Sequence, residues 1–252
     1  MPTKKKLYYR ISTAIIRVFY KKRAFEGLEN IPKEPCIIIA NHAKTHGPLT
    51  FELFYPRRKL IWSAHEMSDK KLAPSYAYND FWSGKPKGTK WLYKLAANAV
   101  IPLACPFFKS ADCLPVYHDE RVFKTFLGSL RGLCDGADVI IFPERHEAYN
   151  GIVNEFHEAF VDLGRLFYKR REKSLAFVPC YNAPTLKKVV FGKPIYYNVN
   201  ASAEENRKEI SYNLKEQITS IARGLPTHKV VPYENVRKNN YSLNSDFVVK
   251  KE

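Results

Sequence analysis

The chain has 252 residues, 45% of them hydrophobic and 26% charged, which excludes a disordered chain and fits a single large domain with its own core. Its 41 Lys and Arg against 25 Asp and Glu leave a net charge of +16, which favours anionic partners (phosphorylated lipids, phosphorylated substrates, nucleic acid) without choosing among them. The cysteines Cys36, Cys105, Cys113, Cys134 and Cys180 are odd in number and form no CxxC, so free thiols in a reducing compartment are expected rather than a disulfide framework.

The first stretch, KKKLYYRISTAIIRVFYKKR over residues 4–23, places Leu7, Ile11, Ile15, Val18 and Phe19 near helical spacing, with cations at both ends. A helix over about residues 5–21 is expected to lie in a membrane interface, its aromatics at headgroup level and its cations among phosphates. No run reaches the ~18 apolar residues of a spanning helix, and no cleavage site marks a signal peptide.

Cys36 to Ala40 is a continuous apolar run, the pattern of a buried strand, and residues 48–55 read as a helix. Leu60-Ile61-Trp62 reads as a second strand. Residues 65–112 are less regular, with TKWLYKLAANAV as their helical part. Strands follow at Leu114 to Tyr117, Val139 to Phe142 and Leu175 to Val178, with one or two more over 188–197. Helices are expected over 119–135, 155–171 and 203–223, the first and last stopped by Gly136 and Gly224. Alternating strands and helices predict an α/β fold with a mostly parallel central sheet flanked by helices, plus the N-terminal amphipathic membrane-associating helix. Residues 1–225 read as the domain and 226–252 as a polar C-terminal tail.

Polar groups follow two of these strands directly: Asn41-His42 after the first, and Pro143-Glu144-Arg145-His146-Glu147 after the 139–142 run. In open parallel sheets, working groups gather at the carboxyl ends of the strands. The two clusters are therefore expected to meet at one edge of the sheet. His46, four residues after His42, would share its side if both stood on one helix. The same four side chains, His42, His46, His146 and Glu147, would also suit a metal. His65-Glu66, after the second strand, falls by position at the same edge, and His157-Glu158 reads as part of a solvated helix face.

The ordered set of segments resembles the glycerolipid acyltransferases of the lysophosphatidic acid acyltransferase type, over roughly residues 5–223. FEGLENIP resembles the family's Gly-x-Glu-x-(Ile/Leu)-Pro segment, and IIIANH the start of its His-x4-Asp motif. LPVYHDERVFKTFLGSLRGLCDGADVIIFPE resembles its second and third blocks, AFVPCY the fourth, and VVFGKPI a late Gly-Lys-Pro strand. GIVNEFHEAFVDLGRL matches the segment between the third and fourth.

The resemblance implies an acyltransferase. Acyl-CoA or acyl carrier protein would give its chain to a hydroxyl of a lysolipid or related amphiphilic acceptor, with no cofactor. His42 would be the base, with His46 and Glu144 in the catalytic set. Arg145, His146, Glu147, His118 and Arg121 would bind substrate. The setting implied is peripheral, on the cytoplasmic side of a membrane with anionic lipids. Nucleic acid is not an expected partner, since no helix-turn-helix, zinc-finger or RNP-like pattern occurs. The chain departs from the family where its chemistry resides. Gly47 stands where the motif has Asp, His118 where the second block has Arg, and Glu144-Arg145-His146-Glu147 where the third reads Glu-Gly-Thr-Arg. Two alternatives follow from these departures: a metal-dependent hydrolase on the same scaffold, and a catalytically inactive lipid-binding member.

Overall fold

The structure is a computed structural model and describes residues 7–82, 86–110, 112–234 and 236–246. Helix α1 (Leu7–Phe19) leads into β1 (Ala24–Glu26), β2 (Ile37–Ala40), α2 (His46–Phe54) and β3 (Lys59–Ala64). Then come α3 (Ala73–Ala77), α4 (Lys90–Ser110), β4 (Cys113–Val116), α5 (Val122–Cys134) and β5 (Asp138–Ile141). The chain continues through β6 (Glu144–Ala148), β7 (Asn154–Phe156), α6 (Asp162–Arg171), β8 (Ala176–Ala183), β9 (Lys188–Phe191), β10 (Ile195–Tyr196) and α7 (Ala203–Gly224).

The main sheet runs β1-β9-β8-β2-β5-β3-β4, with β10 beside β8. From β8 to β4 every neighbour is parallel, while β9 and β10 run antiparallel to β8. This is the mostly parallel α/β architecture expected from the sequence.

Strand β2 shows why the sheet needs two covered faces. Ile37 and Ile39 enter a core shared with Leu163, Leu214 and Ile218, while Ile38 and Ala40 enter a second core with Phe51, Tyr55 and Phe191. Side chains alternate across a strand, so an unbroken apolar run serves both layers. Each isoleucine of β2 is fully buried, contributing on the order of 1.5–3 kcal/mol.

Helix α7 begins at a reciprocal cap: Ser202 accepts from the Glu205 amide and Glu205 accepts from the Ser202 amide. Helix α1 docks with the polar side inward. Tyr9 donates to Glu52, and Arg17 Nη2 donates 2.6 Å to the Leu53 carbonyl. Its apolar face points outward, with Val18 77% and Phe19 84% exposed, and Trp91 on the adjoining α4 is 67% exposed. No helix among the described residues is long and apolar enough to cross a membrane. All five cysteines are free.

Two sequence expectations are corrected. Residues 155–171 are not one helix. Asn154–Phe156 pairs antiparallel with β6, a 3-10 turn follows, and the helix starts only at Asp162. Buried Val153, Phe156, Phe160 and Val161 satisfy a helical pattern in sequence, but the Asn154 side chain, bonded to the Arg145 carbonyl at 2.8 Å, holds the first part extended. Of residues 226–252, read as a polar tail, the described ones at 226–234 and 236–246 pack on the domain through buried His228, Val230, Val231 and Asn244.

Candidate active site

Register brings the two polar clusters together. Ile39 of β2 lies opposite Ile141 of β5, so both strands end level at the carboxyl edge. Asn41, which is buried, prolongs the pairing of β2 with β8 by its side chain: Oδ1 accepts the Asn182 amide at 2.6 Å and Nδ2 donates to the Asn182 carbonyl at 3.1 Å. The chain then turns through Ala43 (φ 45°) and Lys44 (φ 56°), both left-handed, at a cost on the order of 1 kcal/mol each. The Gly47 amide donates to the His42 carbonyl at 3.0 Å and closes the turn.

This turn separates the two histidines. Helix α2 begins at His46, so His42 precedes it and the i, i+4 helical relation does not apply. The His42 ring lies edge-on to Phe142 at 5.3 Å and to Tyr233 at 5.6 Å. His46 stacks instead on Tyr20, whose hydroxyl lies 3.0 Å from His46 Nδ1 and 3.0 Å from Thr50 Oγ1. Burial, then Arg23, Lys238 and Lys44, hold the His46 pKa below the ordinary value. His46 thus ties the end of the α1 segment to α2.

Gly47 is required where it stands. A Cβ there would be 2.6 Å from the His42 carbonyl oxygen and 2.6 Å from the Phe142 ring. No side chain fits at this position, and an aspartate there cannot be reached by a single substitution without moving the turn.

Glu144, the first residue of β6, is buried beneath His42. Its Oε2 accepts the His42 main-chain N–H at 2.5 Å, and Oε1 accepts the Asn154 main-chain N–H at 3.1 Å. The carboxylate therefore grips the backbone of His42. Burial pushes its pKa up to about 7 against those two hydrogen bonds, and Glu234 adds to the rise. His42 moves the other way. Burial lowers its pKa to about 4, with a weak opposing pull from the Lys44 backbone. The edge of the His42 residue reaches solvent, but Nδ1 is enclosed and has no well-formed hydrogen bond. At neutral pH the site holds an uncharged imidazole and a carboxyl group near its midpoint.

The other expected residues lie outward. Arg145 and Glu147 pair with each other at 2.8 Å on the exposed part of β6. His146 packs on Tyr233 at 4.8 Å. His118 is exposed and, with Arg145, faces His157, whose pKa is held down by burial and then by those two groups. Arg121 is bound by both oxygens of Asp119 and lies 4.4 Å from the Tyr117 ring centroid. It borders a cleft of about 460 Å³ at the ends of β3 and β4, where Lys70, Lys71 and Lys109 also point. His65 lines this cleft and pairs with Glu66 at 3.2 Å.

Among the described residues, no three His, Cys, Asp or Glu side chains come together as a metal site requires. The proposed ligand set is dispersed: His46 is held by Tyr20, and Glu147 by Arg145.

Sequence reasoning missed Asn154, Phe142, Tyr233 and Glu234. Asn154 bonds the Glu144 region through its amide and donates from its side chain to Glu234. The signal for the last pair was present: Val230-Val231-Pro232-Tyr233 is an apolar island in a polar segment.

No protein-family model and no curated protein matches the chain. Among solved structures, the crystal structure of the 1-acyl-sn-glycerophosphate (LPA) acyltransferase PlsC from Thermotoga maritima aligns with 85% of this chain and 78% of its own, at 16% identity and a TM-score of 0.45. A likeness at that level leaves function to be argued from the site.

Proposed function

We propose that the protein is an acyltransferase working at a membrane surface, moving an acyl chain from acyl-CoA or acyl carrier protein to a hydroxyl of a lysolipid-like acceptor. The observation that carries this reading is the junction of the two acyltransferase-like blocks, in which Glu144 holds the His42 turn at the sheet's carboxyl edge. His42, uncharged at neutral pH, accepts the acceptor's hydroxyl proton. The oxygen bonds to the thioester carbonyl carbon, the C–S bond breaks, and the imidazolium returns the proton to the departing thiolate. No carboxylate at position 47 steadies that imidazolium. In this reading the charge comes through space from Glu144, ionised above about pH 7.

The outward apolar face of α1, with Arg10, Lys21 and Lys22 exposed around it, supports peripheral docking on anionic lipid at the cytoplasmic side of a membrane. The cleft beside Lys70, Lys71 and Lys109 offers cations for a phosphate of donor or acceptor. The crowding at Gly47 favours a second reading, an inactive member that binds lipid without turnover, because losing the orienting carboxylate can cost ~10⁴ in rate.

The test is thiol release from acyl-CoA and acyl carrier protein with a panel of lysolipids in anionic liposomes. Turnover by the wild type, cut ~10²–10⁴-fold in His42→Ala, is the expected outcome. Liposome binding without thiol release in any combination would select the second reading.

A further inference from the structure

Residues 228–234 and 236–244 of the C-terminal segment lie over the candidate site. The base of this segment is a bridge between Lys229 and Leu243, with Val230 N donating to the Ser242 carbonyl at 2.9 Å and Asn244 N to the His228 carbonyl at 3.0 Å. The base is anchored to the domain: Tyr181 Oη of β8 lies 2.9 Å from His228 Nε2, and Asn244 Nδ2 donates to the Ala222 carbonyl of α7 at 2.9 Å.

Beyond this base the segment straddles the His42 turn. Lys44 Nζ donates to the Val236 carbonyl at 3.0 Å and lies 5.2 Å from the Tyr241 ring centroid. Tyr233 stands between two site histidines, 5.6 Å from the His42 ring and 4.8 Å from the His146 ring. Glu234 accepts from the Asn154 side chain, and the Asn154 main-chain amide bonds Glu144. One residue of the segment therefore touches the imidazole, and the next reaches the carboxyl group through a single intermediary.

We propose that Tyr233 and Glu234 are positioning residues of the site: Tyr233 clamps the His42 ring against Phe142, and Glu234, through Asn154, fixes the Glu144 carboxyl group. This proposal rests on His42 and Glu144 being the reacting pair. It gives the imidazole a mechanical support, an aromatic clamp, where the turn leaves no room for an aspartate. Among the described residues, Tyr181, bonded to His228, faces Glu144 from the domain side, and Lys44 follows in the turn with its ammonium on the Val236 carbonyl. The site would be incomplete without the C-terminal segment.

The experiment is an NMR titration of the full chain with labelled histidine and glutamate, His42 and Glu144 being assigned from His42→Ala and Glu144→Gln. In the wild type, His42 is expected to titrate near pH 4 and Glu144 near pH 7. Tyr233→Ala admits water to the imidazole and should raise the His42 midpoint by at least about one unit toward the ordinary value. Tyr233→Phe keeps the ring and should restore the low midpoint. Glu234→Gln removes a neighbouring negative charge and should lower the Glu144 midpoint. This conservative change also serves if Tyr233→Ala fails to fold. Unchanged midpoints in both Tyr233→Ala and Glu234→Gln would overturn the proposal. Since none of these readouts needs turnover, shifted midpoints in a protein that consumes no thioester would sink the functional reading alone. Thioester turnover with unshifted midpoints would sink the proposal alone.

Discussion

Strand β5 carries a buried carboxylate at its start, Asp138, and the chain places another, Glu144, just beyond its end, and the two are satisfied in opposite ways. Asp138 receives the Tyr55 hydroxyl at 2.7 Å, the Cys36 amide at 3.1 Å, and Arg57 through Nε at 3.0 Å and Nη2 at 3.0 Å. Arg57 also ties in the Pro32 carbonyl at 2.6 Å, so this end of the strand is a charge-matched joint between β2, β5 and the β3 approach. Glu144 receives two main-chain amides and, among the described residues, no cation, and the charge that acts on it is another carboxylate, Glu234. Burial raises both carboxyl groups, but at Asp138 the Tyr55 hydroxyl, the Arg57 guanidinium and the Cys36 amide and thiol oppose it, whereas at Glu144 only two amides do. One end of the sheet surrounds its carboxyl group with a cation and hydroxyl and amide donors, and the other leaves it to two main-chain amides.

The comparison breaks most readily by denaturation. Asp138→Ala strands Arg57 and Tyr55 beside a buried vacancy and should cost about 3–5 kcal/mol in urea unfolding. Glu144→Gln leaves one amide without an acceptor and should cost only about 1–3 kcal/mol while suppressing turnover. Equal costs would mean that Glu144 is as structural as Asp138.

A second consequence is a pair of opposed pH dependences. Glu144 has a folded pKa of about 7 against an ordinary 4.5, so the folded state holds the extra proton between those values. Its contribution to stability therefore falls as pH rises from about 4.5 to 7, by up to about 3 kcal/mol. His42 has a folded pKa of about 4 against 6.5, so the unfolded state binds the extra proton and stability rises with pH from about 4 to 6.5. The two slopes offset each other across most of this window. Unfolding measured from pH 4 to 7 should show a steeper rise with pH in Glu144→Gln than in the wild type, and a less positive slope in His42→Ala.

Gly47 separates packing from chemistry. Gly47→Asp should lose about 1–3 kcal/mol by overpacking against the His42 carbonyl and Phe142, with no gain in thioester turnover. Restored activity would show that the turn can open for the carboxylate. The smallest effect is expected on the outer part of β6: Arg145→Ala or Glu147→Ala removes one exposed ion pair and should change stability by less than about 0.5 kcal/mol. Any larger change in activity would assign that pair to substrate.

Residue type and spacing made the sheet legible. Ile37 to Ala40 and Val139 to Ile141 are apolar on both faces, which only a covered parallel strand requires, and both end in polar residues at one edge. That was enough to bring His42 and Glu144 together. It did not tell ring from backbone, so the sequence suggested a carboxylate supporting the imidazole where the structure has one supporting the main chain. The left-handed residues Ala43 and Lys44 carry no glycine to announce them, and they turned an apparent i, i+4 histidine pair into two separate environments. Tyr233 was hidden by distance: its apolar island Val230-Val231-Pro232-Tyr233 marks a buried stretch, but nothing local shows that it reaches His42 across nearly two hundred residues of chain.

The most direct test of an acid–base site at this edge is the pH dependence of thiol release on anionic liposomes by the wild type and Glu144→Gln. If such a site operates, the wild-type rate climbs through about pH 7 as Glu144 ionises, and the Glu144→Gln rate is low and lacks this limb. Identical profiles for the two proteins would contradict this reading.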